Sequence, residues 1–127
     1  MKKAFIFMSL WCITTTCFAQ NDIHKKATDS FILHYNNNDF EMIYNSFSTT
    51  MQKSRPKNYF FSLFNKVKKE HGKLMFLEQT DYQENSQMKS RGQYYGHFET
   101  GKLQIKITAN AKGEIIGLYI LKDKIVL

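Results

Sequence analysis

Apolar residues recur every three or four positions through the first half of the chain and every second position through the rest. Ile23, Ala27, Phe31 and Tyr35 are spaced by four, which lines them up on one stripe of a helix, with Ile32 at its flank and Leu33 off it. Asn21 and Asp22 are placed to cap this helix. The run Asn36-Asn37-Asn38 is placed to end it, because asparagine tolerates left-handed backbone and competes for backbone hydrogen bonds. Asp39 is placed to cap a second, short helix whose Phe40, Ile43, Tyr44 and Phe47 share a face. "STTMQKSRP" reads as a polar connection with room for a short extended piece. Pro56 suits the first turn of a third helix, along which Tyr59, Phe60, Leu63, Phe64 and Val67 recur, with Phe64 and Val67 toward the core. Lys66, Lys68 and Lys69 fall near its C-terminal end, where the macrodipole favours cations, and Gly72 stops it.

Beyond Gly72 the alternation predicts four strands, over residues 73–82, 87–99, 102–109 and 114–121. Thr100-Gly101 suits a two-residue hairpin and Asn110 to Gly113 a four-residue one. With those loops Phe98 faces Leu103, Gly96 faces Ile105 and Tyr94 faces Ile107. In the next hairpin Ile107 faces Ile116, Ile105 faces Leu118 and Leu103 faces Ile120. Both hairpins put Tyr94, Phe98, Leu103, Ile105, Ile107, Ile116, Leu118 and Ile120 on the core side. Arg91, Tyr95, His97, Gln104, Lys106, Ile115 and Tyr119 fall outside. The expected fold is α+β, with three N-terminal helices packed on one face of a four-stranded antiparallel meander.

The ends change the picture of where the protein works. "MKKAFIFMSLWCITTTCFAQ" has two lysines, an uncharged apolar stretch, and small residues at Cys17 and Ala19. That is the layout of a secretory leader over residues 1–19, with residues 20–127 as one mature domain, exported to the periplasm or secreted. A lipid-modified Cys17 is the alternative, though Thr14 to Thr16 fit a lipoprotein pattern less well. Both cysteines, Cys12 and Cys17, lie in the leader, so the mature domain must hold together by packing without disulfides. No later apolar run is long enough to span a membrane. The formal charge of +7 loses Lys2 and Lys3 on cleavage and stays positive, which suits anionic surfaces in general.

Three runs, "FILHYNNNDFEMIYNSFSTTM", "FFSLFNKVKKEHGKL" and "YYGHFETGKLQIKITANAKGEIIGLYIL", together cover most of the expected mature domain. They resemble an exported bacterial domain of unknown function with the cystatin-like fold of the nuclear transport factor 2 superfamily. Related domains stand alone or ahead of β-lactamase-like serine hydrolases. The resemblance implies a fold and a compartment and carries over no catalytic residues, since one fold hosts unrelated functions.

The chemistry is sparse. No Gly-x-Ser-x-Gly elbow is present, and the mature domain has no thiol. His24, His34, His71 and His97 are scattered without metal-ligand spacing and read as surface or helix-end residues, so neither a metal nor a cofactor is expected. Lysines near aromatics in "FNKVKKEHGK" sit at a helix end, and export argues against a nucleic-acid partner. A ligand pocket of the type that fold relatives such as ketosteroid isomerases use would draw on Tyr35, Tyr44, Phe47 and Tyr94, with Glu78 as its carboxylate, since Glu78 shares parity with Leu74 and Phe76. A partner surface would use Tyr95, His97, Ile115 and Tyr119. The favoured expectation is a non-catalytic exported domain that binds an envelope protein or pairs with itself through the outer sheet face. A small-molecule carrier or cone-pocket enzyme is the alternative.

Overall fold

The computed structural model describes residues 19–122, and the expected leader, except for its last residue Ala19, lies outside them. Among the described residues four helices, two of them long, precede the sheet: α1 Gln20–Asn36, α2 Phe40–Asn45, α3 Thr49–Ser54 and α4 Lys57–His71. The strands are β1 Leu74–Glu84, β2 Ser90–Phe98, β3 Gly101–Ala109 and β4 Ile115–Lys122, paired antiparallel in chain order as an open sheet. The architecture is α+β, with one helix more than the periodicity predicts. The extra helix is α3, in the segment expected to be a connection. Ser48 caps it by accepting from the Met51 amide at 3.2 Å, and it buries none of its residues, so it left no apolar period to read.

The aromatic stripes do build the core. Phe31 and Tyr35 of α1, Phe40 and Ile43 of α2, and Phe60, Phe64 and Val67 of α4 pack against Leu74, Tyr94, Phe98, Leu103, Ile105 and Ile107 of the sheet. The asparagine run ends α1 as expected, with Asn38 in left-handed backbone at φ 58°. It also does more. Asn36 pairs with the backbone of Leu74 in both directions, at 2.9 and 2.8 Å, which fixes the start of the sheet to the end of α1. Lys68 of α4 donates to the carbonyls of Tyr35 (3.0 Å) and Asn36 (2.7 Å), satisfying acceptors that the helix end leaves over. Two expected caps are absent. α1 starts after Ala19, which leaves Asn21 and Asp22 inside its first turn, and Asp39 precedes α2 without a side-chain capping bond.

The strand faces are largely as expected, but both hairpin registers are displaced by two residues. Phe98 pairs with Gly101, Gly96 with Leu103 and Tyr94 with Ile105. The loop is therefore Glu99-Thr100, and Gly101 is the first residue of β3, at φ 103°. The loop amides turn away from the hairpin: Glu99 donates to the Lys73 carbonyl and Thr100 to that of His71, each at 3.0 Å. A shift of two preserves the faces, whereas a bulge does not. Between β3 and β4 an irregularity at Thr108/Ala109 pairs Ala109 with Ile115. Ile115 is thereby turned into the core, and Ile116, expected inside, is only partly buried.

Candidate functional site

Of the expected pocket residues, Tyr35 and Phe47 are filled core. Tyr35 stacks on Phe31 and meets Phe98 edge-on, and its hydroxyl donates to the Gly72 carbonyl at 2.9 Å. Burial pushes its phenol pKa well above the ordinary value. Phe47 packs on Tyr44 and Phe60, and Tyr44 itself is partly buried against the core. Gln52 ties Tyr44 down by donating to its carbonyl at 3.0 Å. Glu78 lies on the opposite side of the sheet. A bulge between Leu74 and Phe76 reverses the parity of β1, so Phe76 and Glu78 face outward and Glu78 meets His97 at 2.7 Å. The carboxylate proposed for a pocket is thus exposed and hydrogen-bonded to His97. Among the partner-surface residues, Tyr95, His97 and Tyr119 do sit on the outer face, while Ile115 is 1% exposed and bridges to Phe47 behind the sheet.

Tyr94 belongs to a polar cluster that no apolar pattern marks. Gln20, His24 and Thr28 continue the buried stripe of α1 toward its N-terminus, above Phe31 and Tyr35. The expectation of a surface or helix-end histidine fails at His24, which is 2% exposed. Its Nδ1 lies 2.7 Å from Ser90 Oγ and its Nε2 2.8 Å from the Tyr94 hydroxyl. Gln20 Nε2 donates to Ser90 Oγ at 2.9 Å and to the Asn110 carbonyl at 3.1 Å. Tyr82 stands edge-on to the imidazole, with centroids 5.2 Å apart. Two buried atoms in this cluster, Gln20 Oε1 and the Tyr82 hydroxyl, have no hydrogen-bond partner.

Burial lowers the His24 pKa below 6.5, with Glu84 opposing, so near pH 7 the ring is neutral and holds one proton. On Nδ1 that proton goes to Ser90, and Nε2 accepts from Tyr94. On Nε2 it goes to Tyr94, and Nδ1 accepts from Ser90. Either direction satisfies the ring and leaves one hydroxyl hydrogen for a further partner, on Ser90 in the first case and Tyr94 in the second. Burial, reinforced by Tyr82, pushes Tyr94 up to about 12, so it stays a neutral donor. Burial also raises Tyr82, the Ser90 hydroxyl beside it opposes this, and Glu84 adds to the rise.

The cluster forms the floor of a cleft of about 590 Å³ between α1 and the β1–β2 edge, lined among others by Asp22, Asp29, Gln79, Tyr82, Glu84 and Tyr94. Lys25 at its rim is paired with Asp29 at 2.8 Å. A serine 2.7 Å from a histidine matches the spacing of an activated nucleophile. Ser90, however, is 0% exposed, and Gln20 already donates to its oxygen, so no acyl group can approach it.

Gly92 explains how Tyr94 reaches His24. A Cβ on Gly92 would stand 2.1 Å from the Tyr94 hydroxyl oxygen, so the ring lies flat over bare backbone. Gly92→Ala is expected to cost about 1–3 kcal/mol through overpacking and to push Tyr94 off His24. Urea unfolding measures the first effect, and the shift of the His24 ring resonances measures the second.

Other short motifs do not form sites. Ser54-Arg55-Pro56-Lys57 and Ser86-Gln87-Met88-Lys89 spell Ser-x-x-Lys. The first straddles the break between α3 and α4 and the second is the exposed β1–β2 connection, so neither presents serine and lysine on one helical turn. Gly96 to Lys102 spells Gly-x-x-x-x-Gly-Lys but is a β-hairpin followed by Leu103, without the helix or the hydroxyl of a phosphate loop. Among the described residues no group of three or more His, Cys, Asp or Glu is placed to hold a metal ion. No helix among them is long and apolar enough to cross a membrane.

No curated protein and no solved structure matches the chain. A family model does match, over residues 28–118, which takes in α1 from Thr28 through the first half of β4 and leaves Gln20 and His24 just outside. The chain belongs to that family, described as Protein of unknown function (DUF3887).

Proposed function

We propose that this protein is an exported, non-catalytic binding module that holds a small polar molecule in the cleft above His24 and Tyr94. The observation that carries the reading is the Tyr82 hydroxyl, a buried polar atom beside an open cleft that has Ser90 and Glu84 near it but neither in good hydrogen-bond geometry. Such an atom costs free energy unless something bonds it. The lining indicates what that something is. The chain as a whole is basic, yet Asp22, Asp29 and Glu84 line this cleft, and the Lys25 ammonium is already engaged by Asp29. A neutral or cationic molecule rich in donors, a polyol or an amine, fits these groups better than an anion. The position of α1 against the sheet, with a cleft at its N-terminal end, accords with the cystatin-like arrangement that the resemblance implies. The leader layout supports export to the periplasm or beyond.

Protein-observed NMR against a panel of small polyols, amines and carboxylates tests this. Polyols or amines should shift the ring signals of Tyr82, Tyr94 and His24, and Tyr82→Phe should weaken that binding about 3- to 10-fold, the worth of one hydrogen bond. A panel that leaves those signals unmoved at millimolar concentration, or one in which only carboxylates bind, defeats the reading.

A second use, contact with another protein through the outer sheet face, is favoured by the exposure of Phe76 and Tyr119 there, 54% and 61%.

A further inference from the structure

The outer face of the sheet has opposite charges on its two sides. β1 presents Glu78 and Asp81, β3 presents Lys102 and Lys106, and β2 between them presents Gln93, Tyr95 and His97. All four helices contribute to, or lie on, the other face. Strand register sets four levels across this outer surface, the last of them Gln83, Arg91, Thr108 and Gly117. Phe76, His97 and Lys102 share one, Glu78, Tyr95, Gln104 and Leu121 the next, and Asp81, Gln93, Lys106 and Tyr119 the third.

We propose that this face docks a second copy of the same chain, face to face, about a two-fold axis running along β2. The inference rests on the protein-contact reading of the outer face and names the partner. A half-turn about an axis parallel to the strands exchanges β1 with β3 and keeps every residue at its own level. Asp81 of one copy then faces Lys106 of the other, twice over. Phe76 faces Lys102, an arrangement that suits a cation over a ring, and Tyr95 meets Tyr95. Glu78 lies between the two opposing lysines, while at the fourth level Arg91 meets Arg91, a like-charge contact that works against the two Asp81–Lys106 pairs. An axis across the strands would instead lay β1 on β1 and β3 on β3, setting acid against acid and lysine against lysine, so the charge pattern selects the first axis. Aligned sheets cross at about 30°, an offset that a four-carbon lysine stem can span. Under this axis β1, β2 and β3 overlap and β4 overhangs; strands of this length run about 30 Å and three of them about 14 Å across, so each copy offers a footprint smaller than that of standard specific interfaces. The dimer is therefore reversible and weakened by salt.

Sedimentation velocity over a concentration series tests the proposal. Wild-type protein should pass from monomer to dimer. Asp81→Lys alone and Lys106→Asp alone should each weaken association about 10-fold or more, because each brings two like-charged pairs together. An equimolar mixture of those two variants should dimerise again, since every Asp81–Lys106 contact is then restored with opposite charges. A protein monomeric at every concentration overturns self-docking, as does a dimer indifferent to both reversals. The broader reading fails separately, if Tyr119→Ala, on β4 outside the overlap, leaves the proteins crosslinked to it in its native envelope unchanged.

Discussion

Phe64→Ala is expected to lower the unfolding free energy by about 3–5 kcal/mol. Phe64 is completely buried and touches rings from two other helices, with centroids 6.1 Å from Phe31 and 5.4 Å from Phe40. Phe40 in turn meets Tyr35, and Tyr35 meets Phe98 of the sheet. Removing one ring from this stack deletes its transfer free energy and leaves a void that four fixed elements cannot collapse to fill. Urea titration should show a lower midpoint at unchanged slope. Tyr59→Ala, from the same helix but 50% exposed, should stay within about 0.5 kcal/mol. The contrast matters for function. If the interior between helices and sheet held a ligand cavity, Phe64 would line open space and its loss would cost little. A full-sized effect places the room for a ligand elsewhere, at the N-terminal end of α1.

The sequence made the fold legible to different depths in different places. Phe31, Tyr35, Phe40, Phe60 and Phe64 announce their burial because apolar spacing and helix period coincide. The sheet announces its faces for the same reason, with period two. Features that depend on one residue more or less were hidden. The bulge at Leu74/Phe76 reverses Glu78, and the one at Thr108/Ala109 exchanges Ile115 with Ile116. Alternation on a single strand cannot report either, because a bulge is a property of the pairing. Helix α3 was hidden because it buries nothing. The His24 cluster was hidden most completely. Gln20, His24 and Thr28 have the spacing of a helical stripe, but polar residues at that spacing read as a solvated face. Their partners, Ser90 and Tyr94, lie 66 and 70 positions away from His24. The only local hint was that Ile23, Ala27, Phe31 and Tyr35 make a narrow stripe, and a stripe offset by one residue at its N-terminal end buries His24 as well.

Replacing His24 with alanine should cost about 2–5 kcal/mol and should also change how stability depends on pH. The size follows from what is left behind. Ser90 Oγ and the Tyr94 hydroxyl each lose a buried partner, at about 1–3 kcal/mol for a group left unsatisfied, and a ring-sized void opens between α1 and β2. Tyr94→Phe removes one end of the chain and should cost less. In the double variant the losses should fall short of additive, because His24 and Tyr94 share one bond. The pH effect follows from the lowered His24 pKa. Burial lowers it and Glu84 of β1 opposes; Tyr82 and Tyr94, the phenols that face it, stay neutral at these pH values. The unfolded chain takes up a proton near 6.5 and the folded chain only at lower pH. Between those two values the unfolded state binds more protons, so stability falls as the solution is acidified through that window and is fully present above it. His24→Ala removes this contribution. Unfolding titrations above and below pH 6.5 should therefore show a larger loss on acidification for the wild type than for the variant. Equal slopes would mean that His24 takes up its proton in the folded protein as readily as in the unfolded chain. The hydrogen-bonded chain beneath the cleft would then not depend on a neutral ring.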